Sequence, residues 1–457
     1  MPAMIQPARI HDLNEKNEAD KPYVLYWMQA SQRTRFNHAL EYSIQRANDL
    51  KLPLLVCFGL MDDYPEANAR HYAFMLQGLR DVEIHLKNRD IKFVVKHGNP
   101  PDVALHYAKH AALVICDWGY TRHQKRWRDQ VADEANVKVV QVESDVVIPV
   151  EEVSDKHEYA ARTIRPKIHR KLADYLVVVK PTKVLHSSLN LDIAGNIDPT
   201  DPDKLLEKLK VDRSVPPSSR FEGGEIAAAR ALKLFIAKKL GSYAVDRNEP
   251  SAGGTSTMSP YLHFGHISPI EIALAVRDHE ASPKEDRDAY LEELIVRREL
   301  SINYVHFCPK YDSYDQLPDW AKKALEQHRH DERPEKYSLK ELEEAKTTDA
   351  YWNAAQLEMT RTGFMHNYMR MYWGKKILEW SPDAKEAFAR TLYLNNKYFI
   401  DGRDPNAYAN VAWIYGLHDR PWGPARKIFG TIRYMNAAGL KRKFDMDAYV
   451  KWVSGLA

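Results

Sequence analysis

The sequence predicts a two-part chain: an α/β domain built on a parallel five-stranded sheet, then an all-α domain, joined by a long linker. Three observations carry this. Short apolar runs rich in β-branched residues alternate with amphipathic stretches from residue 22 to about 145. That rhythm stops between 181 and 222, where Pro, Ser, Asp and Asn dominate. After Phe221 only helical periodicities remain. A chain of 457 residues exceeds one ordinary core, which agrees with the division. The predicted units are a polar tail over 1–21, the α/β domain over 22–180, the linker over 181–222 and the helical domain over 223–457.

The first residues, MPAMIQPARIHDLNEKNEADKP, contain no apolar core of the signal-peptide kind and read as a polar tail. The predicted strands are Tyr23–Trp27, Pro53–Phe58, Lys92–Gly98, Ala112–Asp117 and Val137–Glu143. Runs this apolar, separated by stretches such as HYAFMLQGLRDVEIHLKNR, belong to a parallel sheet covered on both faces. No GxGxxG follows the first strand and no GxxxxGK(S/T) occurs, so the sheet shows no dinucleotide or P-loop signature. Cys57, Cys116 and Cys308 are far apart, two of them inside apolar runs, and read as buried free thiols in a reducing compartment. The expected location is the cytoplasm of a prokaryote or the nucleus of a eukaryote, unsecreted, and the expected state a monomer. No CxxC or HExxH occurs, so no metal site is expected, and no run of eighteen apolar residues is present to span a membrane. Helices are expected over GEIAAARALKLFIAKKL, DAYLEELIVRRELSINYVHF and AKEAFARTLYLNNKYF, and one continuous helix over Arg361–Trp380.

Chemistry concentrates in the second half, which holds seven of the ten tryptophans after residue 300. In GGTSTMSPYLHFGHISPIE, Ser259 and Ser268 each precede Pro and read as N-caps, with Ser268 and Glu271 fitting a capping box. The same segment offers the hydroxyls of Thr255, Ser256, Thr257 and Ser259 at a helix start, where free N–H groups favour an anion. Glu293 and Arg297 are four apart and form an i,i+4 pair on one reading; on the other, a carboxylate beside Leu294, Ile295 and Val296 is poised for a ligand. Trp373 and Trp380 are two turns apart and share a face with Arg370, while Met371 points toward the side of Tyr368 and Lys375. Rings on two faces mean a sandwiched helix, with protein on one side and protein or a flat aromatic ligand on the other. Beyond the turn dipeptides Asp401–Gly402 and Asp404–Pro405, a loop carries Trp413, Arg420 and Trp422. From Pro424 to Phe444 six basic residues occur with no acid, either a solvated face or a phosphate-facing patch. Overall net charge is only +3 and decides neither.

Together these segments resemble the photolyase/cryptochrome family. YAVDRNEPSAGGTSTMSPYLHFGHISPIE resembles its flavin-phosphate segment, and DGRDPNAYANVAWIYGLHDRPWG and EYAARTIRPKI resemble the class II cyclobutane pyrimidine dimer (CPD) photolyases. The resemblance covers the chain from about Lys21 and implies a Rossmann-like antenna domain followed by a helical FAD-binding domain. By motif match, Tyr243, Thr255, Ser256, Thr257, Met258 and Ser259 hold the FAD phosphates and ribose. Arg297, Arg370, Asp401 and Gly402 line the rest, and Asn395 lies near flavin N5. Glu293 touches the lesion, Met371 faces its pocket, Trp413 stacks on it because Val296 replaces the Trp of commoner photolyases, and Arg247 and Arg433 hold DNA. Trp380, Trp373 and Trp352 form the electron relay, with Trp380 nearest the flavin. The implied activity is light-driven repair of UV-induced pyrimidine dimers in DNA by electron transfer from reduced FAD, in its anionic hydroquinone form, to a flipped-out dimer. An antenna pigment in the first domain is implied too, a deazaflavin rather than a folate. The alternatives are a blue-light receptor of the same fold without repair activity, and a helical DNA-binding or scaffold protein whose tryptophans are structural.

Overall fold

The computed structural model describes residues 5–456. Its sheet has six strands: β1 Ile10–Asp12, β2 Tyr23–Trp27, β3 Leu54–Leu60, β4 Lys92–His97, β5 Ala111–Asp117 and β6 Val139–Val142. Their spatial order is β1-β6-β5-β2-β3-β4, and every pair is parallel except β1 with β6. The antiparallel edge strand corrects the five-stranded expectation, and it lies inside the predicted polar tail, whose residues 1–4 fall outside the described residues. Three half-exposed residues leave no apolar run to read. What holds them is the pairing with β6, pinned by Arg9 just before the strand: its buried guanidinium donates to the carbonyls of Glu143, Val146 and Val147 at 3.1, 3.2 and 2.6 Å, satisfying a charge that would otherwise be costly to bury.

Helices α1 (His38–Leu50), α2 (Ala69–Lys87), α3 (Pro100–Ala108) and α4 (Arg122–Glu134) cover the sheet. Alternate strand residues face opposite ways. Val24, Tyr26, Val56 and Phe58 pack against α1 and α2, and Tyr23, Leu25, Leu55 and Cys57 against α3 and α4. The three cysteines are free and buried. Within the predicted linker, the Pro202–Lys208 helix sinks Leu205 and Leu206 against the α2 side of this core.

From Glu225 onward the chain is helical, and among the described residues its only β pairing is the Arg426–Gly430 bridge. The continuous helix expected over Arg361–Trp380 is two helices, Ala350–Thr362 and Asn367–Trp380. Gly363 ends the first in the left-handed region (φ 79°), and the His366 side chain caps the second by accepting from Tyr368 N–H. A Cβ at Gly363 would lie 2.6 Å from Ile400 Cγ1, so glycine answers both the φ and the close approach. Among the described residues no helix is long and apolar enough to cross a membrane.

Candidate functional site

Two cavities meet inside the helical part. One, of about 240 Å³, is lined by Tyr243, the 255–259 segment, Glu293, Arg298 and Asp401. The other, of about 420 Å³, is lined by Met371, Trp373, Asn395, Phe399, Trp413, Trp422 and Arg433. Asn367, Arg370 and Asn410 line both, so they mark the junction.

The first cavity is shaped by a turn and a widened helix. Thr257 takes a positive φ of 58°, and Met258 rather than Ser259 caps the short Ser259–His263 helix, so Ser259 is its first residue. Ser268 does cap the next helix by accepting from Ile270 N–H, but Glu271 turns to Arg35 at 2.7 Å and no capping box forms. Thr255, Ser256, Thr257 and Ser259 all line the cavity.

Across from them, Glu292–Arg297 is a π-helical turn between the Lys284–Leu291 and Arg298–Phe307 helices, with Arg298 N–H bonded to the Glu293 carbonyl. That i→i+5 step changes which residues face inward. The i,i+4 pair of Glu293 with Arg297 does not form. Arg297 is exposed and sits 3.4 Å from Glu292, which Arg165 also holds at 2.7 Å, whereas Glu293 pairs with Arg247 at 3.0 Å. Arg298, buried and bonded to the Asp145 carbonyl at 2.6 Å, takes the cavity position expected for Arg297. Arg247 itself lies behind Glu293, its guanidinium 5.4 Å from the Tyr243 ring. Its carbonyl meets His366 Nε2 at 3.0 Å. Because His366 Nδ1 accepts from Tyr368, Nε2 carries the proton, and burial pushes this imidazole down to about 4, keeping it neutral.

At the junction Arg370 donates to both oxygens of Asp401 at 3.2 Å and to the Met365 carbonyl at 3.1 Å, with its guanidinium 3.8 Å over the Phe399 ring. Asp401 lines the first cavity. Gly402 lines neither; its place is set by packing, since a Cβ there would lie 2.9 Å from the Asn395 carbonyl. Asn395, buried at the end of the Ala384–Tyr398 helix, is oriented by donating to Asn396 Oδ1 at 3.0 Å, and Asn396 donates on to Glu66 at 2.7 Å.

The second cavity has a ring-lined wall. Trp413 sits on the Pro405–Ile414 helix, not on a loop, while Trp422 is on the loop that follows. Arg433 stacks 4.3 Å over Trp422 and pairs with Asp419 at 3.2 Å. Met371 lines the same cavity as Trp373, not an opposite side. Of the three predicted relay residues, Trp373 is the one at the wall; Trp380 is fully buried and lines neither cavity. Leading away from the cavity wall, the rings stand in the order Trp373, then Trp352, whose Nε1 donates to the Trp373 carbonyl at 3.0 Å, then Trp380, 5.4 Å from Trp352 between ring centroids. Spacing in sequence placed Trp373 and Trp380 on one face but could not tell which end meets the cavity.

Reading the sequence missed Arg298, Asn406 and Asn410 and gave Trp422 no role. A signal existed for two of them: Asn406 and Asn410 are four apart on one helix and line the first cavity together.

The first-domain segment 24–186 matches the DNA photolyase family model. The deoxyribodipyrimidine photo-lyase of Methanothermobacter thermautotrophicus is 48% identical over 99% of both chains. Two crystal structures share the fold: a bacterial class III photolyase from Agrobacterium tumefaciens (TM-score 0.74, 18% identity, 96% of this chain and 87% of that one) and an archaeal photolyase from Sulfolobus tokodaii with two FAD molecules (TM-score 0.69, 14% identity, 94% and 89%). With cavity, fold and full-length likeness in agreement, the chain belongs to the photolyase/cryptochrome family.

Proposed function

We propose that this protein is a class II photolyase that splits cyclobutane pyrimidine dimers in DNA under blue light, with FAD in the first cavity and the everted dimer in the second. The observation that carries this is the junction. A hydroxyl-rich turn with Arg298 lies on one side, a Trp, Trp and Met wall on the other, and the Arg370–Asp401 pair between them.

The residues fit FAD. Thr255, Ser256, Thr257 and Ser259 offer hydroxyl donors and Arg298 a cation to a diphosphate; Tyr243 and Met258 complete that wall. Arg370 and Asp401 offer a paired donor and acceptor to a polar ring edge, and Asn395, on the wall of the second cavity alone, an amide from across the junction, held in one orientation by Asn396. Bound in its reduced form, FAD supplies the electron that opens the dimer ring and receives it back. The chain positions and shields. Trp413 and Trp422 offer flat faces to the everted bases and Met371 fills between them, while Glu293, steadied by Arg247, lines the first cavity and not the second, so that it would reach a base edge only across the junction. Eversion costs a few kcal/mol, less for a badly stacked dimer, which favours damaged DNA. Arg433 and the 424–444 basic segment would hold phosphates. Trp373, Trp352 and Trp380 would deliver electrons from outside to restore the reduced cofactor.

A third cavity, of about 110 Å³, opens at the carboxyl ends of β2 and β3, between Phe58, Met61, Tyr64, Tyr72 and Trp127. Its apolar, aromatic lining suits a flat antenna pigment, which we assign as a deazaflavin; the absorption spectrum of pigment released on denaturation checks it.

The test is a spectrum followed by a repair assay. The purified protein should release flavin on denaturation and, once reduced, remove dimers from UV-treated DNA in blue light but not in the dark. A colourless protein overturns the cofactor reading. Flavin without loss of dimers overturns repair and leaves the light receptor.

A further inference from the structure

The segment EYAARTIRPKI lines none of the three cavities, yet it touches the wall of the second. Its Tyr159 is 44% exposed. The Tyr159 hydroxyl donates to the Asp419 carbonyl at 3.1 Å, and the Tyr159 carbonyl accepts from His418 Nδ1 at 2.8 Å. A carbonyl can only accept, so His418 carries its proton on Nδ1, and burial pushes this imidazole down to about 4, keeping it neutral. His418 also takes a positive φ of 57°, a conformation that persists in a side-chain-bearing residue only where its surroundings fix it. The strap that does the fixing is itself anchored. Glu158 N–H donates to Asn303 Oδ1 at 2.7 Å, on the Arg298–Phe307 helix, and Asn303 Nδ2 donates back to the Lys156 carbonyl at 3.0 Å. The Glu158 carboxylate accepts from Ser154 Oγ at 2.6 Å and from Lys167 Nζ.

What Tyr159 holds is the hub of the lesion wall. The Asp419 carboxylate accepts from Trp422 Nε1 and from Arg433 Nε, each at 3.2 Å, and from Arg420 N–H at 2.9 Å. The guanidinium groups of Arg433 and Arg420 stand 4.3 and 4.9 Å over the Trp422 ring. Trp422 and Arg433 both line the second cavity. We propose that Tyr159 is a positioning residue for lesion recognition: it fixes the His418–Asp419 turn, and through the Asp419 carboxylate it sets the Trp422 ring and the Arg433 guanidinium that meet the everted pair. The inference rests on the lesion site proposed above. Tyr159 itself lines no part of that cavity. Without its two bonds the loop after the Pro405–Ile414 helix would have to order when DNA arrives, and ordering a loop costs affinity; with them the wall stands ready. The effect falls on recognition of the dimer. The chemistry that follows is untouched, because no group of Tyr159 reaches either cavity.

DNA binding by the flavin-loaded protein, measured in the dark, tests this apart from any repair. Tyr159→Phe keeps the ring and removes the donor. It should weaken binding of dimer-containing DNA about threefold to tenfold. Binding of undamaged DNA, flavin content and Tm should stay at their wild-type values. Under blue light KM should rise, with repair per absorbed photon at saturating DNA unchanged. Trp422→Ala tests the route: in that background Tyr159→Phe should cost less than about twofold more, because the ring it positions is gone. A full additive loss there overturns the route through Asp419. Unchanged affinity for dimer-containing DNA in Tyr159→Phe, or equal weakening for damaged and undamaged DNA, overturns the inference. Trp422→Ala alone separates the two levels. If it leaves dimer binding at the wild-type value, the lesion site fails and this inference with it; if it weakens dimer binding while Tyr159→Phe does not, the inference alone fails.

Discussion

Arg370 shows how much one side chain is asked to do at the cavity junction. Its guanidinium cannot lose its charge, so it is held by a carboxylate, a carbonyl and a ring face at once. Removing the carboxylate leaves a half-buried cation short of a partner, at a cost of about 1–3 kcal/mol. Asp401→Asn should therefore weaken flavin retention roughly tenfold or more, read as flavin released on dilution; unchanged retention would refute the junction role. The same logic corrects the expected Arg297. A guanidinium that faces solvent and shares Glu292 with Arg165 has no reason to reach inward, whereas buried Arg298 already does. No residue-level cue in the sequence distinguishes two adjacent arginines; the π turn before them does.

Helix contacts decide where the rings stand. The Asn367–Trp380 helix crosses Pro405–Ile414 at Gly374, where an added Cβ would lie 2.4 Å from Ile414 Cδ1. Next to it Lys375 is buried and donates to the Ile414 carbonyl, one of the last acceptors of that helix, and burial pushes its ammonium down to about 7. These contacts set the height of Trp413 in the second cavity. Gly374→Ala should overpack the crossing by about 1–3 kcal/mol. It should also weaken binding of dimer-containing DNA while flavin content stays near wild type. Equal loss of both would mean that the crossing supports the whole helical part and not the lesion wall.

Across the whole molecule, the α/β and helical parts are joined through a buried carboxyl group. Glu299, on the Arg298–Phe307 helix, accepts from the N–H groups of Val147 and Ile148 after β6, at 2.6 and 3.3 Å. Burial raises its carboxyl from 4.5 to about 8 and outweighs these bonds. A raised carboxyl favours the fold fully below pH 4.5, where both states are protonated, and that contribution is lost as pH rises to about 8. Glu299→Gln removes the titration and keeps an acceptor. The stability advantage of wild type over the variant should therefore shrink from pH 5 to pH 8 in denaturant titrations; a constant difference would show that Glu299 is ionised throughout. DNA binding belongs to this scale too. Lys441, Arg442 and Lys443 end the Ala437–Lys443 helix, within the basic segment proposed to hold phosphates. Replacing all three with Ala should lower the slope of log K against log salt by about 0.9 for each phosphate no longer neutralised. An unchanged slope would leave the patch a solvated surface.

The alternation of β-branched runs with amphipathic stretches was enough to predict the sheet and its covering helices, because period-2 and period-3.6 burial are local properties of the chain. Local spacing also brought out the hydroxyl-rich turn and the tryptophans of the second half. The three-residue strand at Ile10–Asp12 was not readable, since it is held by pairing with the distant β6 and by Arg9 reaching three distant carbonyls, not by its own apolarity. Nor was the break at Gly363, where a helical pattern continues on both sides and a left-handed turn brings the backbone against Ile400. Which tryptophan meets the cavity and which arginine faces it were settled only by tertiary packing. A helix repeats its faces every few residues, and only its neighbours decide which repeat meets the cavity and which meets the surface.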